Sequence, residues 1–207
     1  MDVVYSNVKW FAVAYIILFQ TFFILKNIIT RKKTGVAVNA ANRDVKNIVL
    51  CFVLVFSVSI FSLFFPAFYA RVIPIDVMKN SAGVLIAGMV FLVGAFILAL
   101  VSSIQLGASW RVGVLEHQRV DLVDEGVYRF CRNPYFVAYF MQIAGFFLIA
   151  PSVILLMLVV ISLLYIHRMV IKEEKYLMDL HGTTYAEYCR RTGRYLPKFR
   201  IKEKCLR

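Results

Sequence analysis

Residues 135–170 read YFVAYFMQIAGFFLIAPSVILLMLVVISLLYIHRMV, a run with no Asp, Glu, Lys or Arg before Arg168. It is too long for one membrane helix of ordinary tilt, because a bilayer core about 30 Å thick takes roughly 20 residues of helix. Ala150-Pro151-Ser152 falls near its middle, and proline does not continue a helix interior. The run therefore divides into two helices, about 135–149 and 151–170, folded as a tight hairpin. At ~1.5 Å per residue the first arm covers only about 22 Å, so the sequence just before it is expected to enter the membrane interface.

Three more apolar regions lie upstream, at about 10–29, 48–70 and 81–104, which brings the expected number of spans to about five. Composition agrees: 61% of the 207 residues are hydrophobic and 15% aromatic, which excludes an ordinary soluble domain. The first region is followed by Arg31-Lys32-Lys33 without a small-residue cleavage site, and reads as a retained span rather than a signal peptide. The expected fold is an all-α, polytopic membrane helix bundle with a cytoplasmic loop and an amphipathic C-terminal tail. Residues 1–104 form its three-helix N-terminal part and 105–207 its functional core, all within one domain.

The net charge of +12 is spread unevenly. Segment 30–47 carries Arg31, Lys32, Lys33, Arg43 and Lys46; segment 105–134 carries Arg111, Arg119, Arg129 and Arg132; and eleven Lys and Arg follow from Arg168 onward. The remaining connections hold only Arg71 and Lys79. Cytoplasmic loops are enriched in Lys and Arg, so the N-terminus is expected outside and the C-terminus in the cytoplasm, with 105–134 and the tail on that side. These cations lie between and after the apolar blocks, where anionic lipid accounts for them better than nucleic acid. Cys51, Cys131, Cys189 and Cys205 have neither disulfide-framework nor metal-ligand spacing, so free thiols and no metal are expected. Cys205 is third from the end, one position short of a prenylation signal.

The chemistry-bearing segment is Leu122-Val123-Asp124-Glu125-Gly126-Val127-Tyr128-Arg129-Phe130-Cys131-Arg132-Asn133-Pro134-Tyr135. One reading is purely architectural: Asn133 caps the next helix, Pro134 takes its first position, and Arg129 and Arg132 snorkel to headgroups. That reading leaves Glu173-Glu174 unexplained at the same membrane level, beside His167 and Arg168. Acidic groups at a cytoplasmic helix end oppose both the helix dipole and an anionic leaflet, so they need a cationic partner, either Arg132 or a bound cation.

Gly126-x-Tyr128-x-x-x-Arg132-Asn133-Pro134, a hairpin, Glu173-Glu174, His181-Gly182-x-x-Tyr185-x-x-Tyr188 and Tyr195-Leu196-Pro197 occur in that order. The combination resembles the isoprenylcysteine carboxyl methyltransferase family and the related phospholipid methyltransferases, over about residues 105–198. The resemblance implies S-adenosyl-L-methionine as cofactor, held at the cytoplasmic interface, and a lipidic acceptor that enters from the bilayer. It implies cofactor contacts from Leu122, Val123, Tyr128, Asn133, Pro134, Tyr135, Phe136, Glu173 and Glu174. Catalytic roles are expected for Arg132 and Asn133; the position of the family's substrate-contacting arginine falls at Met169, next to Arg168, and Arg132 and Arg168 are the expected substrate contacts. Where that family usually reads Arg-His-Pro-x-Tyr, this chain reads Arg132-Asn133-Pro134-Tyr135-Phe136, so a titratable ring and a hydroxyl are replaced. Asn133 keeps hydrogen-bonding capacity but does not change charge near neutral pH.

The implied function is methyl transfer to a membrane-embedded hydrophobic acceptor, foremost a prenylcysteine-like or other lipidic carboxylate, which needs no base. The alternatives are a phospholipid amine acceptor, an NADPH-dependent membrane reductase of the steroid-reductase type, and a non-catalytic lipid-binding protein. Of the isolated residues, His117 and His181 read as solvated. Tyr185 and Tyr188 read as packing an amphipathic tail helix, with Arg190, Arg191 and Arg194 toward headgroups. Gly83, Gly88 and Gly94 read as allowing close helix approach.

Overall fold

The computed structural model describes residues 2–34, 53, 55–60, 81–109 and 121–198. Its long elements are α1 (Asp2–Thr34), α2 (Ala82–Leu106), α3 (Pro134–Ile149), α4 (Val153–His181) and α5 (Thr183–Arg191), with short 3-10 turns at Gly107–Ser109 and Gly126–Arg129. Among the described residues there is no sheet, only a single parallel bridge between Cys131 and Gly193. Among the described residues, three helical stretches, Asn7–Lys33, Ala82–Leu106 and Val153–His181, are long and apolar enough to cross a membrane, and Pro134–Ile149 is a shorter apolar helix. Of the expected span 48–70, residues 55–60 are helical, with Val55 and Val58 buried; most of the remainder lies outside the described residues.

The hairpin forms where the proline places it. α3 stops at Ile149, and Ser152 starts α4 with its hydroxyl accepting from the Leu155 amide at 3.1 Å. α4 does not stop near 170 as expected. It runs unbroken to His181 and ends at Gly182, which takes the left-handed φ of 53° that glycine adopts without strain. At ~1.5 Å per residue its 29 residues reach about 43 Å, longer than the apolar layer is thick. Glu173 and Glu174 therefore ride on a rigid extension of a membrane helix rather than on a loose tail.

α2 and α3 pack closely because two glycines face each other: a Cβ built on Gly88 would lie 2.9 Å from the Gly145 carbonyl oxygen, and one on Gly145 equally close to that of Gly88. Gly94 gives the same relief to Met141, whereas Gly83 faces open space apart from Ser81. α1 lies against this pair through aromatic contacts, Tyr15 with Phe146 at 5.8 Å and Phe19 with Tyr139 at 6.1 Å between ring centroids. As α1 advances α3 retreats, so the two run antiparallel. The Arg31-Lys32-Lys33 end of α1 thus lies toward the Asn133 end of α3. Away from the core, Ile17, Leu18, Val90, Ile97, Leu156, Met157, Val160, Ile161 and Leu164 are exposed, a continuous apolar exterior of the kind lipid covers.

Candidate functional site

Residues 131–133, just before α3, lie beside 192–194, just after α5. The Arg132 amide donates to the Gly193 carbonyl at 2.9 Å, the Asn133 amide to that of Arg194 at 3.2 Å, and the Thr192 hydroxyl to that of Arg129 at 3.2 Å. The tail is thereby stitched to the entrance of the hairpin, and α4 supplies the third wall. Tyr185, Tyr188 and Cys189 of α5 form a small second core with Leu122, Leu177 and Met178. The Tyr188 hydroxyl donates to the Tyr128 carbonyl at 2.6 Å, and Arg191 pairs with Asp124.

At the centre is the Glu174 carboxylate, 5% exposed, which accepts three donors. Arg132 Nε reaches Oε1 at 3.1 Å, Asn133 Nδ2 reaches the same oxygen at 2.8 Å, and Arg194 Nε reaches Oε2 at 2.9 Å. Arg132 also donates to the carbonyls of Cys189 and Thr192. Burial works to lower the pKa of the Arg132 guanidinium, but the charge and hydrogen bond of Glu174 outweigh it and hold the group above its ordinary value. Two guanidiniums on one carboxylate leave a net positive charge in this cluster, and half-buried Glu173, one residue earlier, lies beside Tyr128.

Asn133 occupies the N-cap position with Pro134 at the start of α3, yet its side chain makes no capping bond and turns to Glu174 instead. A cap would use the Asn133 Oδ1 as acceptor from a helix amide, whereas the bond made here uses Nδ2 as donor to an ionised carboxylate, the stronger kind. Tyr128, Pro134 and Tyr135 are buried with Arg132 and Asn133, and Phe136 is half-buried against Tyr139. The Tyr128 hydroxyl donates to the Ser102 carbonyl at 3.4 Å, and its pKa is pushed well up by burial and then by the nearby charge of Glu173. The turn carrying it depends on Gly126, whose φ is 59° and whose missing side chain leaves room for Gln105; the Gln105 Oε1 accepts from the Val127 amide at 2.8 Å.

The structure thus brings together Tyr128, Arg132, Asn133, Pro134, Tyr135, Glu173 and Glu174, with Leu122 in the adjoining core and Val123 half-buried beside it. Arg168 stands apart: it is exposed, two residues and so about 200° around α4 from buried Ile166 and Val170. Arg194 departs from the headgroup role read for it and joins Glu174, whereas Arg190 and Arg191 are exposed. His181 is half-buried rather than solvated, and His117 lies outside the described residues.

Thr192 and the contact between His167 and Tyr195 were not read from the sequence. Thr192 gives its carbonyl to Arg132, and His167 Nδ1 lies 2.7 Å from the Tyr195 hydroxyl, whose ring packs on Phe140 at 5.1 Å. Burial raises the Tyr195 pKa to about 12. The sequence placed His167 and Tyr195 in separate motifs, and no periodicity joins residues so far apart along the chain.

Residues 84–184 match the family model described as phospholipid methyltransferase. No curated protein matches the chain.

Proposed function

Because residues 84–184 belong to the phospholipid methyltransferase family, whose methyltransferases use S-adenosylmethionine, this membrane protein is a methyltransferase, and we propose that its acceptor is a lipidic carboxylate. The observation that carries the choice of acceptor is at Asn133. The residue at the helix entrance is an amide already donating to Glu174, so it offers no base where one would be needed for a protonated amine. A carboxylate is a nucleophile at neutral pH without help. A phospholipid amine is the second reading, favoured by the name of the matched family and by His167, an imidazole whose ring is oriented by the Tyr195 hydroxyl. The match leaves no role for a nicotinamide cofactor.

The residues fit the cofactor on their chemistry. Glu173 is a half-buried carboxylate beside Tyr128, suited to ribose hydroxyls or an ammonium group, and Tyr128, Tyr135 and Phe136 supply aromatic surface for a purine and a sulfonium. We assign cofactor contact to these four together with Leu122, Val123 and Pro134. S-adenosylmethionine supplies an activated methyl group, so the chain's task is to orient the reactants and exclude water. Arg132, Asn133 and Glu174 act as positioning residues in this assignment: their hydrogen bonds to one another and to 189–194 lock the loop, α4 and the tail in register. The basic ends of α1 and of the hairpin support a cytoplasmic position for this site in our reading.

Calorimetry with S-adenosylhomocysteine tests the assignment. Glu173→Gln is expected to weaken binding at least tenfold while the protein stays folded; unchanged affinity would remove Glu173 from the site. Paired titration with NADPH is expected to give no heat.

A further inference from the structure

One stripe of α3, Tyr135, Tyr139, Gln142 and Phe146, recurs at helical spacing and leads from the Asn133 end into the apolar layer. Tyr139 donates its hydroxyl to that of Tyr135 at 3.5 Å, and Phe146 meets Tyr15 of α1. Within this seam two polar atoms are buried without a hydrogen-bond partner among the described residues: the Tyr15 hydroxyl, on a side chain 5% exposed, and the Gln142 Oε1, on one 3% exposed. Gln142 is about 12 Å along the helix from Pro134, at ~1.5 Å per residue, well inside the hydrocarbon. Water does not satisfy polar groups there, and an orphaned donor and an orphaned acceptor on facing helices are costly unless something else pairs them.

Resting on the methyltransferase reading above, we propose that the α1–α3 seam is an acceptor subsite that recognises a secondary amide in the lipid, below its methyl-accepting head. The Tyr15 hydroxyl donates to the amide carbonyl and Gln142 Oε1 accepts from the amide N–H. A single amide fills both vacancies, whereas an ester offers an acceptor only and leaves Gln142 unpaired. The aromatic ladder Tyr135–Tyr139 joins this subsite to the interface, so the head of the same lipid lies toward Asn133 and Glu173.

The test uses the full chain in lipid nanodiscs without cofactor, and two radiolabelled probes with the same dodecyl tail and terminal carboxylate. One probe has a secondary amide link and the other an ester. The wild type is expected to bind the amide about tenfold more tightly, the scale of one unpaired buried group. Tyr15→Phe and Gln142→Met should each bring the ratio close to one with unchanged affinity for S-adenosylhomocysteine. No preference in the wild type, or a preference that survives both variants, overturns the subsite. Amide preference without methyl transfer to any acceptor would instead count against the proposed reaction and leave the subsite standing.

Discussion

Glu174 is the residue on which the site depends most, because Arg132 beside it is 8% exposed and has no other charge to balance it in its hydrogen-bond set. Replacing it by glutamine leaves a buried guanidinium uncompensated, a change that typically costs about 3–5 kcal/mol. We expect Glu174→Gln to lower unfolding stability in detergent by about that amount and Glu173→Gln to change it far less; equal losses would mean that both carboxylates are structural. The sequence identified the pair and named Arg132 as a partner, but could not say which glutamate faces inward. That choice is set by the phase of α4, where Ile166, Val170 and Glu174 share the buried face. Nor did it reveal Arg194, whose pairing depends on a turn back of the tail that no local pattern encodes. Cys131 gives a second check at this scale. Burial first, against the lowering effect of a backbone hydrogen bond and Arg132, pushes its thiol up to about 11. Between pH 8 and pH 10 its alkylation by iodoacetamide should therefore rise about tenfold per pH unit, since the thiolate is the reactive form. A plateau by pH 9, read by mass spectrometry of the Cys131 peptide, would show an ordinary exposed thiol. The same raised value means the neutral thiol is favoured in the fold, so this group's contribution to stability is present below about pH 9 and is lost as pH rises toward 11.

Among the elements, the hairpin was the most legible and the extension of α4 the least. Pro151 punctuates the apolar run and the chain obeys it. The end of α4 was misplaced because hydropathy falls away near Arg168, while the segment Lys172-Glu173-Glu174-Lys175 remains good helix former with no glycine or proline before Gly182. Hydropathy reports where the bilayer ends and propensity reports where the helix ends; here the two differ by about three turns. The α2–α3 contact was read as glycine-permitted, and its strength is testable. Gly145→Ala would set a Cβ 2.9 Å from both the Gly88 oxygen and Leu92, and overpacking of this kind costs about 1–3 kcal/mol. Gly83→Ala meets nothing nearer than Ser81 Oγ at 3.9 Å and should be neutral or stabilise by up to about 1 kcal/mol through helix propensity. Thermal unfolding of both variants in one detergent decides it, and equal midpoints would remove the glycine contact from the account.

At the scale of the whole molecule, the basic end of α1, the Tyr128 turn, the start of α3 and the Glu173-Glu174 stretch of α4 lie toward one end. The all-α membrane architecture was readable because apolar blocks of bilayer length leave little choice of fold. The acceptor was not, because contacts between spans, such as that of Tyr15 with Phe146, are made by packing that no local sequence pattern encodes. If the site faces the cytoplasm, a single cysteine introduced at Asp124 in a cysteine-free background should be labelled by a membrane-impermeant maleimide only in inside-out vesicles. Labelling in right-side-out vesicles would reverse the orientation. The most direct test of the central claim is transfer of labelled methyl from S-adenosylmethionine into membrane lipid by the purified protein, followed by treatment with base. The expected result is lipid-soluble label that base releases as volatile methanol, strongly reduced in folded Glu173→Gln; absence of transfer to any lipid, or label that resists base, would contradict the carboxyl-methylating site proposed for this chain.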